Sequence, residues 1–147
     1  MINLSIVTYN TSLVDLEKLI KSFKTSIKTK YNIFIIDNSK SNSLEEFFRE
    51  FDFVSYFHNP SNPGFGAAHN IAIQKAIDEG SKYHFIVNPD IYFSEDVISP
   101  MVRFMEDNPN IGMLMPQILN EDGSIQNLPK LLPSPFSILL RKLKKPN

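Results

Sequence analysis

The 147 residues include no cysteine. That excludes a disulfide framework, thiol chemistry and zinc–thiolate sites. No apolar run approaches the ~20 residues that a membrane-spanning helix needs. The opening MINLSIVTYN has no basic start and passes directly into a strand pattern, unlike a signal peptide. These absences suit a cytoplasmic protein. No acid follows Asp122, whereas Lys130, Arg141, Lys142, Lys144 and Lys145 do. The tail is therefore +5, and with a net charge of −1 the remainder is −6. An acidic body argues against nucleic-acid binding, which needs a basic face on the fold itself. Three common site signatures are missing as well. The turn after the first strand, TYNTSL, has no glycine, and Gly64-Phe65-Gly66 comes late and lacks a third glycine, so the dinucleotide fingerprint is absent. Neither a phosphate-binding GxxxxGK[ST] loop nor a G-x-S-x-G nucleophile elbow occurs.

What is present is an alternation of strand and helix patterns, with a hydrophobic fraction of 42% and a charged fraction of 21%. Residues 3–9, NLSIVTY, read as a strand. Ser12 with Asp15 resembles a capping box, and Leu13, Leu16, Ile20, Phe23 and Ile27 then fall on one helical face. Tyr31 to Ile36 reads as a strand ending at Asp37, Ser43 to Phe51 as a short helix, and Phe53 to Phe57 as a third strand. His58 to Phe65, with two prolines and a glycine, is loop; Gly66 to Glu79 is helical, with Gly80 as its stop. Tyr83 to Val87 reads as a fully buried fourth strand. A helix is expected from Ser94-Glu95-Asp96 to about Asp107, with Pro100 near its first turn, then a strand over Ile111 to Met115 and a hairpin turn at Asn120 to Gly123.

Continuous apolar strands separated by helices predict a mainly parallel α/β sheet covered on both faces, and such sheets bind ligands at the carboxyl ends of their strands. Thr8, Tyr9 and Asn10 close the first strand, Asp37 and Asn38 the second, Asn88 and Asp90 the fourth. These groups are expected to meet at one edge, which the loop from Asn59 to Phe65 also reaches. Taken singly, they have plain structural readings. Asp37 and Asp90 suit Asx turns, Tyr9 a half-buried strand aromatic, and NPGFGAAHN a tight loop-to-helix junction. His58 and His84 read as structural, and His69 as a residue bordering the edge.

Five segments, in order, carry more than any one of them: SIVTYN, FIIDNS, NPGFGAAHN, FIVNPD and MPQILNEDGSIQ. Together they resemble family 2 glycosyltransferases of the GT-A fold, nearest to rhamnosyltransferase-like members that build bacterial surface polysaccharides. The resemblance covers about Asn3 to Gln126. It implies a Rossmann-like nucleotide-sugar-binding fold, and an inverting enzyme that moves a sugar from a UDP- or dTDP-linked donor to a saccharide or lipid-linked acceptor. It implies a divalent cation, Mg²⁺ or Mn²⁺, on the donor diphosphate, with Asp90 as its ligand because Asn-Pro-Asp matches the family's Asp-x-Asp motif. Asn88, replacing the first acid, would bond the ribose. Thr8, Tyr9, Asn10, Asp37 and Asn38 would line the nucleoside, and Gly64, Phe65, Gly66 and Asn70 would face the donor.

The resemblance also implies a general base well downstream of Asn-Pro-Asp, where this chain has no acid beyond Asp122. The expected organisation is thus a donor-binding region over residues 1–128 and a basic amphipathic tail over 129–147 that begins a missing C-terminal part. That tail suits either an anionic membrane surface at the inner face or a packed element without its partner, whose exposed apolar side would favour self-association. Two classes stay open: a glycosyltransferase of which this is the donor-binding half, and a non-catalytic nucleotide-sugar-binding or partner module derived from one.

Overall fold

A computed structural model describes residues 2–126. The chain divides into two units, Met1–Gly112 and Met113–Asn147. The first contains β1 (Ile2–Thr8), α1 (Leu13–Ser26), β2 (Tyr31–Asp37), α2 (Glu45–Arg49), β3 (Val54–His58), α3 (Phe65–Asp78), β4 (His84–Val87) and α4 (Ile98–Asp107). The four strands form one sheet in the order β3-β2-β1-β4, and every pairing is parallel. Each helix connecting two strands is therefore a crossover, as parallel pairing requires.

Alternation along the strands sorts the two faces. Leu4 and Ile6 of β1 and Ile33 and Ile35 of β2 pack with Leu16, Leu19, Ile20 and Phe23 of α1, Phe48 of α2 and Ile98 of α4. Val7, Phe34 and Ile36 turn to the other face, where Ala68, Ala72 and Ala76 let α3 approach closely. Each fully buried Leu, Ile or Phe contributes about 1.5–3 kcal/mol. Ser12 caps α1, accepting the Val14 N–H at 3.2 Å. Gly80 follows α3 at φ +69, the left-handed geometry expected of a helix stop.

The α3 face of β1 is more polar than the apolar strand pattern promises. Asn3 and Ser5 are wholly buried there. Asn3 Nδ2 donates to Glu79 Oε2 at 2.8 Å. The Ser5 hydroxyl lies 2.7 Å from both His69 Nδ1 and His84 Nε2. The histidine that opens β4 and the one in α3 are thus tied to the central strand. Burial, then the proximity of His84, lowers His69 from 6.5 to about 4, and burial also lowers His84.

Several expectations need correction. Ile111 to Met115 forms no strand; among the described residues it has no ladder partner, and an apolar pattern alone does not make one. β4 is not fully buried: among the described residues it pairs only with β1, and Ile86 is 57% exposed at the sheet edge. Leu13 lies in the first turn of α1 with its side chain exposed, and Leu19 takes the buried place on that face. α4 starts at Ile98, after Ser94-Glu95-Asp96; Asp96 still accepts the Ser99 N–H at 3.0 Å in its first turn. In the second unit, Leu119 and Ile125 form an antiparallel bridge around the expected turn, with Gly123 at φ +81. The basic tail expected over 129–147 lies outside the described residues. Among the described residues no helix is long and apolar enough to cross a membrane.

Candidate functional site

The carboxyl edge of the sheet is built by register. Thr8 pairs with Asp37, and Asp37 with His58. The ladder continues one step beyond the strands, as Asn38 N–H donates to the Thr8 carbonyl at 2.9 Å and Asn59 N–H to that of Asp37 at 2.7 Å. On the other side of β1, Ile6 pairs with Val87, so Asn88-Pro89-Asp90 leaves the sheet beside Thr8. The strand ends named from the sequence therefore share one edge, through parallel pairing alone.

Their side chains divide into two sets. Thr8, Asp37 and Asn38 are buried. Asp37 Oδ1 accepts from Thr8 Oγ1 at 2.9 Å, from Ser39 N–H at 3.1 Å and from Ser39 Oγ at 2.6 Å. Its Oδ2 accepts from the Tyr56 hydroxyl at 2.7 Å. Burial first, and then this bond, push the Tyr56 hydroxyl far above its ordinary value, which keeps it a donor. The Ser39 N–H bond is an Asx turn two residues after the aspartate, the plain reading of DNS. Asn38 Oδ1 accepts from Asn59 Nδ2 at 3.1 Å.

Tyr9, Asn10, Phe65, Gly66, Asn70, Asn88 and Asp90 are exposed, and Gly64 is half-buried. Gly64 sits at φ +95 before α3, a conformation that L side chains rarely adopt. Gly66 is already helical, and a Cβ there would meet nothing within 4 Å, so its glycine leaves the first turn of α3 bare. That turn contains no acid and offers free N–H groups at the positive end of the helix. His69 is buried beneath it with its ring edge-on to Phe65, 4.3 Å between centroids. Ser39, Tyr56 and His58 belong to this edge although the sequence reading assigns them no part in a site. The DNS turn pointed to Ser39, but nothing in the sequence brings Tyr56 to Asp37 across two strands.

Asp90 occupies the turn after β4 without a hydrogen bond or ion pair among the described residues. Among those residues no group of three or more His, Asp or Glu side chains is placed to hold a metal ion. A single exposed carboxylate suits a hard cation whose other ligands are phosphate oxygens and water.

Solved structures share this architecture. S. aureus TarS aligns with a TM-score of 0.57 at 19% identity, covering 82% of this chain and 24% of TarS. TarS 1-349 aligns at 0.58 and 19% identity, covering 79% of this chain and 38% of that one. TarS 1-349 in complex with UDP aligns at 0.57 over the same shares. The likeness is one of fold, and the chain spans well under half the length of these proteins. A comparison with curated proteins finds no match. The family model described as Glycosyl transferase family 2 matches residues 4–147.

Proposed function

Because the chain belongs to glycosyl transferase family 2, we propose that it forms the donor-binding half of an inverting enzyme that transfers a sugar from a nucleotide-sugar to a saccharide or lipid-linked acceptor. The observation that carries this reading is the meeting of the β1, β2 and β4 ends at one edge, with exposed Tyr9, Asn10, Asn88 and Asp90 above a buried polar floor. UDP bound to a protein of the same fold supports a nucleoside diphosphate as the ligand class. The likeness of the ordered motifs to rhamnosyltransferases makes dTDP-linked sugars the first donors to test beside UDP-sugars.

In this reading Tyr9 and Asn10 flank the nucleoside, and Thr8, Asp37 and Asn38 form the floor that holds them. Asn88 bonds the ribose. Gly64, Phe65, Gly66 and Asn70 bring the first turns of α3 to the donor's phosphate and sugar, where free N–H groups favour negative charge. Asp90 would hold the cation, Mg²⁺ or Mn²⁺, which when bound offsets the charge on the diphosphate leaving group. The acceptor hydroxyl attacks the anomeric carbon as the bond to the diphosphate breaks. The base that takes its proton is assigned to none of the described residues.

Asp90→Asn keeps the size and turn-forming ability of the side chain and removes its charge. Titration calorimetry of UDP and dTDP, with Mn²⁺ and with chelator, should show the metal-dependent gain in affinity largely lost in the variant. The expected loss is about 1–3 kcal/mol, with the fold unchanged by circular dichroism. Equal metal enhancement in both proteins would return Asn-Pro-Asp to a simple turn.

A further inference from the structure

Ser39 lies two residues beyond Asp37, is 5% exposed, and has every polar group engaged. Its N–H donates to Asp37 Oδ1, and its carbonyl accepts from His58 Nε2–H at 3.0 Å. Its hydroxyl donates to Asp37 Oδ1 at 2.6 Å and accepts the Asn10 N–H at 2.8 Å. A carboxylate on one side and an amide N–H on the other leave the hydroxyl a single direction.

The amide it holds belongs to an unusual residue. Asn10 sits at φ +50, one of two non-glycine residues at positive φ among those described. That region is disfavoured for L residues, asparagine being among the better tolerated, and such a conformation persists where its surroundings enforce it. β1 has ended at Thr8, so Asn10 has left the ladder. Tyr9 N–H donates to Thr11 Oγ1 at 3.2 Å across the turn, and from the protein's interior the turn is held by the buried Ser39 and, through it, Asp37. Tyr9, 56% exposed, and Asn10 stand on the surface above them.

We propose that Ser39 is a positioning residue of the donor site: its hydroxyl transmits the anchor of the buried Asp37 carboxylate to the Asn10 backbone and so fixes the turn that presents Tyr9 and Asn10 to the nucleoside. This rests on the donor-binding reading above and adds to it a residue that touches no ligand. It also gives Asp37 an indirect part, since its carboxylate is wholly buried beneath the donors Thr8, Ser39 and Tyr56.

Ser39→Ala deletes the hydroxyl and leaves both backbone bonds of residue 39 in place; Ser39→Thr restores the hydroxyl. Two quantities are measured on the full chain: amide hydrogen exchange by NMR at Asn10 and at the core residue Ile35, and the Kd of UDP with Mn²⁺ by calorimetry. In Ser39→Ala, exchange at Asn10 should accelerate while Ile35 stays protected, and UDP should bind roughly tenfold more weakly, the scale of one lost hydrogen bond. Ser39→Thr should restore both. Faster exchange at Asn10 with unchanged UDP affinity overturns the positioning role. Unchanged exchange at Asn10 overturns the relay itself. Equal acceleration at Ile35 marks general loosening and overturns it too. If the wild type binds neither UDP nor dTDP, the donor-binding reading falls, and this inference with it.

Discussion

Replacing Asp37 by alanine should cost the protein about 3–4 kcal/mol of stability, because three buried donors lose their acceptor and the half-buried Tyr56 hydroxyl is left with Asn42 Oδ1 at 2.9 Å. Thr8 Oγ1, Ser39 N–H, Ser39 Oγ and the Tyr56 hydroxyl all converge on this carboxylate, which is 0% exposed. Each orphaned buried donor costs on the order of 1–3 kcal/mol, but hydroxyls can rotate to other acceptors and the buried charge itself is relieved of its desolvation. The net therefore falls well short of the sum. Asp37→Asn should cost less, since one carbonyl oxygen still serves the Oδ1 donors and the Tyr56 oxygen can turn to accept from the new amide. Urea unfolding gives the values directly if the slope with denaturant is unchanged. An alanine variant within about 1 kcal/mol of wild type would mean that the four bonds do not hold the edge together.

Acidification should act on a different part of the sheet and almost as strongly. His69 is lowered from 6.5 to about 4 by burial and by His84. The unfolded chain takes up this proton as pH falls through about 6.5, whereas the folded protein resists until about 4. Between those values the unfolded state binds more protons, so stability rises with pH across the window and is lost as pH falls through it. The shift corresponds to roughly 3 kcal/mol, complete near pH 4 and absent above pH 7. His84, lowered by burial, adds in the same direction. Asp96 and Asp122, held below the ordinary carboxylate value, lose their contributions only at more acid pH. Unfolding midpoints at pH 7, 5.5 and 4.5 measure the effect, and His69→Gln should flatten it. A wild type equally stable at pH 7 and 4.5 would contradict the burial of a neutral imidazole.

The strands and their order of use were legible because apolar runs, Ser12 and Gly80 mark element ends locally. The common edge of Thr8, Asp37 and Asn88 was legible for the same reason, since parallel pairing brings carboxyl ends together without further information. What the sequence hid depends on contacts between distant residues. Ile111 to Met115 looks like a strand, yet a strand exists only where another offers hydrogen bonds. Asn3 and Ser5 interrupt an apolar run with no local sign that Glu79, His69 and His84 will receive them. At the candidate site, strand ends predict position but not whether a side chain turns inward. Asp37 turns in and meets Tyr56, whereas Asp90 stays on the surface, and both appear in the sequence as an acid ending a strand.

The Ser5 hydroxyl between two imidazoles has one proton, and the Phe85 carbonyl at 3.5 Å is too far to compete for it. If Ser5 donates to His84 Nε2, it accepts from His69 Nδ1, and both neutral rings then carry hydrogen on Nδ1. If it donates to His69 Nδ1, both carry hydrogen on Nε2. The two rings thus cannot choose independently: the tautomer of one fixes that of the other. In either arrangement, His69 Nε2 and His84 Nδ1, both buried without a hydrogen-bond partner among the described residues, present one bare nitrogen and one unmet N–H. The central strand therefore couples the tautomers of two distant histidines through one hydroxyl, a coupling readable in their ¹⁵N shifts and one that a Ser5→Ala substitution would remove.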